Sequence, residues 1–491
     1  MKRYLTYSIL LAATAVFISC QKDFLNTSPT ETVSTAPPEQ RLNGLYLMMI
    51  QSGTGGTTAQ SDFGQKMVDM YTDFLSGDMA LTNAPYGWFQ DIANLKISGM
   101  PQNSYNYIPW RYYYRMIYET NKSIAELATP KNDREKYALA QFHALRAHAY
   151  YYLMQLFTTK YEPNSSTNSI PLYTQANVTT KAKAKQSDIY ALIVSDLQFA
   201  IDNLDGFRRA NKGMIDKNVA KGILAYVYAT MGENQKVADL AQDIINNSGY
   251  PLTTREQAVY NSTTGKGGGF NDVQTSSWMW GFDIIAENGV SLGSWWGFMD
   301  MFTYSYASVG ETKAIDDKLH QQIRNSDIRK KQFDTFVDDE GESYSLLPVN
   351  KFFAPERKFQ GQRVILSDYI FMRVDEFYLL AAEALAKLGQ EAQAKVVYKK
   401  LLKLRYPEAT ADTDITYVDA LSGTALLDDI YLNTRIELWG EGKTYLAMKR
   451  NHKTVNRGSN HYEMKNQSFN YDNPKLSLTI PQNELQNNLD L

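Results

Sequence analysis

The sequence predicts a mainly α fold: tetratricopeptide-like helix pairs with long irregular loops and a little β. Three stretches carry that expectation. In Tyr137 to Phe157, Leu139, Phe142, Leu145, Ala149, Leu153 and Leu156 recur every three or four residues, so they fall on one helical face. Ala140, Ala144 and Ala147 keep other flanks thin enough for neighbouring helices to approach closely, and no Gly or Pro interrupts the run. Val219 to Asn246 and Phe371 to Arg405 share a second pattern, in which Ala225 precedes Gly232 as Ala382 precedes Gly389, with an amphipathic run resuming near Val237 or Ala392. A helix stopped by Gly, a short turn and a returning helix is the unit of a tetratricopeptide-type repeat. Two such copies are fewer than a plain solenoid contains, so the rest of the chain must cover their exposed faces.

From the N-terminus, Lys2 and Arg3 precede the apolar run Ile9 to Ile18 and then Ser19-Cys20. That is the pattern of a secretory signal, 1–19, too short to span a membrane. Cys20 is the single cysteine of the chain, and its place directly after the signal suits diacylglycerol attachment; Phe17 and Ile18 depart from the usual lipobox. Without a second Cys there is no intrachain disulfide, and the fold must rest on its core. Residues 20–491 read as one unit, its helical scaffold mainly 110–250 and 369–452 and its irregular part mainly 76–109 and 251–368.

Gln21 to Pro38 reads as a Thr-, Ser- and Pro-rich tether, Gln40 to Gln51 as a first helix and Asp62 to Leu75 as a second. Pro85, Gly87, Gly99 and Pro101 break the stretch from Ser76 to Pro109, and helix resumes over Trp110 to Leu127. After a loop at 161–180, Asp188 to Leu204 is amphipathic. Trp278 to Ile285 alternates as a strand would, Asp316 to Phe333 holds one or two short helices, and Lys351 to Phe359 is non-helical. Leu426 to Trp439 is a last helix before a polar tail.

The formal net charge is −3, and removing Met1 to Ser19 takes away Lys2 and Arg3 but no acid. A chain this acidic lacks the basic footprint that nucleic acid or an anionic membrane surface requires.

Most chemical motifs fail on context. Gly289-Val290-Ser291-Leu292-Gly293 matches a nucleophile elbow, which needs a strand running straight into it and a helix leaving it. Here Ala286-Glu287-Asn288 intervene, and none of His320, His452 and His461 has the setting of a base. Gly442-Lys443-Thr444 ends like a phosphate-binding loop, but Glu437 stands where that loop needs Gly. Asp412 and Asp414 begin like a calcium loop, with Tyr417 where the tight turn needs Gly. His143 and His148 are about 140° apart round a helix and cannot share a metal. Glu437 and Glu441 resemble the paired carboxylates of a glycosidase, but Arg435 and Lys443 beside them favour a structural role.

Aromatic residues are the informative feature. Trp278, Trp280, Trp295 and Trp296 are four of the seven tryptophans, and Phe298, Phe302, Tyr304 and Tyr306 follow. Trp278, Trp280 and Phe282 share one strand face and read as packing. Trp295 and Trp296 are adjacent in a Gly- and Ser-flanked loop, where both cannot easily point inward. An aromatic face with a polar edge stacks on a sugar ring at little entropic cost. Trp295, Trp296, Trp88, Tyr86 and Tyr304 are therefore the expected ligand contacts, although such rings would also suit a peptide or a protein partner.

The segments ALRAHAYYYLMQLF at 144–157, IPLYTQ at 170–175 and RIELWGEGKTYLAMKR at 435–450 together resemble the SusD/RagB family, surface lipoproteins of Bacteroidetes that capture nutrients. The resemblance runs over nearly the whole chain. It implies a glycan (oligosaccharide) binding protein of polysaccharide utilisation, lipid-anchored through Cys20 at the outer membrane and displayed on the cell surface. It further implies delivery of the ligand to a SusC-like TonB-dependent transporter, without catalysis, cofactor, metal or nucleic acid. The loops at 80–110 and 286–310 would form the ligand face and the helix pairs the dock for the transporter. Rival readings are a peptide-binding relative, a secreted α-helical glycosidase, and a structural subunit whose aromatics face its partner.

Overall fold

In the computed structural model, which describes residues 36–491, the alanine-thinned stretch is one helix, Asp133–Phe157. Its N-cap Asn132 accepts a hydrogen bond from the Glu135 N–H, and Asp133 and Glu135 place negative charge at the positive end of the helix dipole. The expected signal, Cys20 and nearly all of the tether lie outside the described residues. The chain divides into two units, Met1–Arg41 and Leu42–Leu491, and the second carries the hydrophobic core.

Helices of seven or more residues are numbered in chain order: α1 Pro38–Met48, α2 Gln65–Ser76, α3 Ser104–Glu126, α4 Asp133–Phe157, α5 Gln186–Asn203, α6 Lys217–Met231, α7 Asn234–Asn247, α8 Asp375–Lys387, α9 Glu391–Leu402, α10 Gly423–Glu437 and α11 Thr444–Arg450. From α3 to α7 each packs on the next, α7 packs on α8, and α8 packs on both α9 and α10. None of these helices is long and apolar enough to cross a membrane. Both expected pairs are present. Gly232 and Gly389 adopt φ of 77° and 75° after α6 and α8, the left-handed conformation that ends a helix and returns the chain. Ala225 and Ala382, about two turns before these glycines, are fully buried.

Several boundaries differ from expectation: Phe371 lies in a strand, Tyr369–Arg373, with helix resuming only at Asp375, and the strand from Trp278 stops at Phe282. Helix α3 begins at Ser104 and contains Pro109, where the sequence marks the end of an irregular stretch. Asn103 caps the helix by accepting from the Tyr105 N–H, and buried Tyr105 and Ile108 hold the first turns in place. Tertiary burial here outweighs the proline penalty.

The β structure consists of short antiparallel pairs. The strands are β1 Met79–Leu81, β2 Trp278–Phe282, β3 Lys313–Ile315, β4 Asp334–Val337, β5 Ser343–Leu347, β6 Tyr369–Arg373, β7 Val455–Asn456 and β8 Ser468–Phe469. β1 pairs with β3, β2 with β6, β4 with β5 and β7 with β8. The polar tail is thus partly ordered, through β7–β8 and a short helix Gln482–Asn487. The β1–β3 pair clamps the loop after β1 against the segment before β3. A small second core, including Met301, Phe302, Ala307, Phe353 and Ala354, underlies this irregular region.

The centre of the unit is ionic. Glu437, at the end of α10, accepts from Arg373 at 2.8 Å, Arg405 at 2.8 Å and Arg329 at 3.0 Å. Glu441 accepts from Arg373 and Lys351, each at 2.8 Å, while Asp327 and Asp375 pair with Arg329 and Arg405. Burial alone would raise the Glu437 carboxyl, but Arg405, Arg373 and Arg329 hold it well below the usual range. The structural reading of these glutamates stands, with different partners: Arg435 turns away to Asp78 at 2.8 Å.

Candidate functional site

Trp295 and Trp296 are not at the surface. They are 1% and 0% exposed, on a short helix Trp295–Met299 capped by Ser294. In an extended loop, neighbouring side chains would diverge to opposite faces. A helical turn instead sets them about 100° apart, so both can enter one core. The two indoles meet edge to face at 5.0 Å, Phe352 packs on Trp295 at 4.8 Å, and the Lys66 ammonium lies 4.9 Å from the Trp295 ring. Neither can stack on a ligand, and both are removed from the expected contact set.

Tyr86 and Trp88 stand differently. Tyr86 is 59% exposed and Trp88 half-buried. Both rings meet Tyr306 at 5.6 Å, at interplanar angles of 73° and 67°. Tyr306 in turn lies parallel to Phe298 at 4.7 Å, and Trp88 touches the same Phe298 at 6.3 Å. The result is a ledge of three rings on a buried aromatic footing. The sequence places Tyr306 in the aromatic run but does not single it out; its membership depends on pairing between three-residue strands, which leave no periodic signal.

The ledge is held from below. Phe89, in a left-handed conformation, is fully buried, packs on Phe298 at 4.9 Å, and donates its N–H to the Tyr105 hydroxyl at 2.6 Å. The Tyr86 N–H donates to the buried carboxylate group of Glu311 at 3.2 Å, which ties the exposed ring's backbone to the opposite segment. Lys313, also buried, donates to the Glu311 carbonyl at 2.8 Å and lies 4.8 Å from the Phe298 ring. Burial pushes the Lys313 ammonium down and the Glu311 carboxyl up, each toward its neutral form. The ledge therefore presents ring faces over a buried Lys313–Glu311 footing, in which each partner partly offsets the other's burial.

Tyr304 is 38% exposed but makes no ring contact with the ledge among the described residues. The Arg363 guanidinium stacks on it at 3.9 Å, and the Tyr304 N–H donates to the Gln362 carbonyl at 3.0 Å. Arg363 also lines a neighbouring cavity of about 420 Å³, beside exposed Val364 and Leu366. One segment, 303–311, thus carries Tyr306 toward the first loop and Tyr304 toward the other.

The remaining sequence candidates show no reactive geometry. Ser291 contacts Ser52 and the Gly293 carbonyl, at 3.0 and 3.2 Å, with no histidine bonded to it among the described residues. His143 pairs with Asp196 at 2.6 Å, which Arg146 also grips. His148 is buried against Gln65, and desolvation pushes its imidazole down to about 3. Glu437 and Glu441 are sealed and held ionised, which is opposite to what a general acid needs.

Known proteins share this architecture over nearly the whole chain. Residues 222–491 match the SusD family model, and residues 23–228 match a family described as starch-binding and associating with the outer membrane. SusD-like protein P2 of Formosa agariphila is 25% identical, over 92% of this chain and 91% of that protein. A SusD-like protein of Bacteroides ovatus is 26% identical over 36% of this chain and 30% of its own length. Among solved structures, a SusD-like carbohydrate binding protein from Bacteroides vulgatus superposes with a TM-score of 0.74 at 21% identity, covering 92% of this chain and 96% of its own. Surface glycan-binding protein A from Bacteroides thetaiotaomicron, in complex with laminarihexaose, gives 0.67 at 14% identity, covering 92% and 97%.

Proposed function

Because the chain belongs to the SusD family, we propose that it is a binding protein that takes an oligosaccharide onto the ledge of Tyr86, Trp88 and Tyr306. The observation that carries this reading is the ledge itself: partly exposed rings, fixed edge to face, on a buried aromatic footing. Such a surface stacks on the C–H faces of neutral sugars and loses little entropy, because its rings are already ordered. Tyr304 with Arg363 offers a second contact zone for a longer ligand, where the guanidinium can donate to hydroxyl groups. The laminarihexaose complex of a structural neighbour supports a glycan as the ligand class.

Delivery completes the proposal. The protein would be anchored through a lipid on Cys20 at the outer-membrane surface, and its helix pairs would dock on a SusC-like TonB-dependent barrel that receives the glycan unaltered. The match to a family associating with the outer membrane supports this placement.

Isothermal titration of the protein and of a Trp88→Ala variant against a panel of neutral oligosaccharides tests the ligand. Saturable binding that the variant loses is expected. Binding of a peptide mixture instead, or chromatographic detection of a cleaved glycan, overturns it. Co-purification of a TonB-dependent barrel from outer-membrane extracts tests delivery.

A further inference from the structure

A second cavity, sharing no residue with the aromatic ledge, lies where the end of α4, the turn between α6 and α7, the end of α8 and α11 converge. Its volume is about 220 Å³, and Lys387, Lys449, Arg450 and His452 contribute to its wall, which contains no carboxylate. Exposed Gly232 and His452 mark the mouth, and buried Lys449 belongs to the interior.

The cations outnumber their partners. Glu383 is the shared counterion of Arg450 and Lys387, at 2.8 Å from each. Nη1 of Arg450 remains buried without a partner among the described residues. Lys449 donates to the carbonyls of Gln155 and Thr158, both at 2.6 Å, and so closes the C-terminal end of α4. That accounts for two of its three N–H groups, and no carboxylate pairs with it among the described residues. Burial pushes the Lys449 ammonium down to about 7. A buried cation without a counterion is costly to keep, and a hydroxyl could have capped the same carbonyls without charge.

We propose that this cavity is an oxyanion site, which binds a small ligand carrying a carboxylate, sulfate or phosphate group against Lys449, Arg450 and Lys387. Its volume exceeds what a bare ion fills, so a sugar-sized acid fits as well as an inorganic anion.

The test is titration calorimetry of the protein with sodium sulfate, inorganic phosphate and glucuronate, against glucose and sodium chloride of matched ionic strength. Saturable one-site binding of at least one oxyanion, absent with glucose and chloride, is expected. The order among the three assigns the preferred head group. Lys449→Met and, separately, Lys387→Gln should each weaken that binding at least ten-fold. Lys387 lies near the mouth, and its replacement leaves the Glu383–Arg450 pair intact, so a folding defect in the Lys449 variant does not hide the answer. Trp88→Ala should leave oxyanion binding unchanged, which separates this site from the ledge. Heats no larger than those of chloride, or equal affinity in the Lys387 variant, overturn the proposal.

Discussion

Nη1 of Arg373 lies 2.8 Å from Oε1 of Glu437, and neither side chain exposes more than 3% of its surface. Replacing Glu437 with Gln would leave three guanidiniums around a neutral amide. Breaking a buried pair from one side costs about 3–5 kcal/mol, so urea denaturation of Glu437→Gln should show a loss of that order. A loss below about 1 kcal/mol would mean that Glu441 and Asp375 neutralise the cluster unaided.

Trp88 and Trp295 should separate binding from stability. Trp295→Ala opens a hole between Phe352 and Lys66 and should cost about 3–5 kcal/mol by denaturation, while the folded fraction keeps its glycan affinity. Trp88→Ala should cost less stability yet weaken a stacked glycan about ten-fold, equivalent to about 1.4 kcal/mol. Calorimetry on both variants decides the matter; a ligand that depends on Trp295 but not on Trp88 would contradict the ledge.

Asp300 should give the stability curve a measurable pH slope. Burial pushes its carboxyl up to about 7, against the opposing effect of hydrogen bonds from the Phe302 and Ala354 N–H groups and the Thr303 hydroxyl. The folded chain thus holds this proton more tightly than the unfolded chain does. Its contribution is fully present below about pH 4 and is lost as pH rises to 7. Between those limits the wild type should lose about 4 kcal/mol relative to Asp300→Asn, read from urea curves at several pH values. Parallel curves for the two proteins would refute the assignment.

Two glycines with nearly equal backbone angles should respond unequally to alanine. Gly389 and Gly442 have φ of 75° and 73°. A Cβ on Gly389 meets nothing within 4 Å, whereas one on Gly442 would lie 2.7 Å from the backbone of Asp69. Gly389→Ala should cost only the left-handed penalty of about 1–2 kcal/mol, and Gly442→Ala clearly more. Equal thermal shifts would mean that α2 yields at Asp69.

The helix pairs are legible in the sequence because their signals are local: a 3.6-residue period followed by a glycine that stops the helix. Trp295 and Trp296 mislead because their neighbours, Phe352 and Lys66, lie far away in sequence, and no local pattern distinguishes a buried helical turn from a Gly-flanked loop. Tyr86 and Trp88 stand out from composition alone, but their organiser Tyr306 depends on the β1–β3 clamp. The structural role read for Glu437 from its flanking charges holds, although Arg435 pairs with Asp78 instead. The actual partners of Glu437, namely Arg329, Arg373 and Arg405, lie 108, 64 and 32 positions earlier and emerge only in three dimensions.

The central charge cluster joins four basic groups, Arg329, Lys351, Arg373 and Arg405, to four acids, Asp327, Asp375, Glu437 and Glu441. Half of the acids, Glu437 and Glu441, come later in the chain than all four bases. A nascent chain halted after Arg405 would hold twice as many cations as anions at the place that must become dry. The ionic centre therefore cannot neutralise itself until Glu437 and Glu441 have been translated, and a truncation before Glu437 should leave the earlier helices to chaperones and proteases.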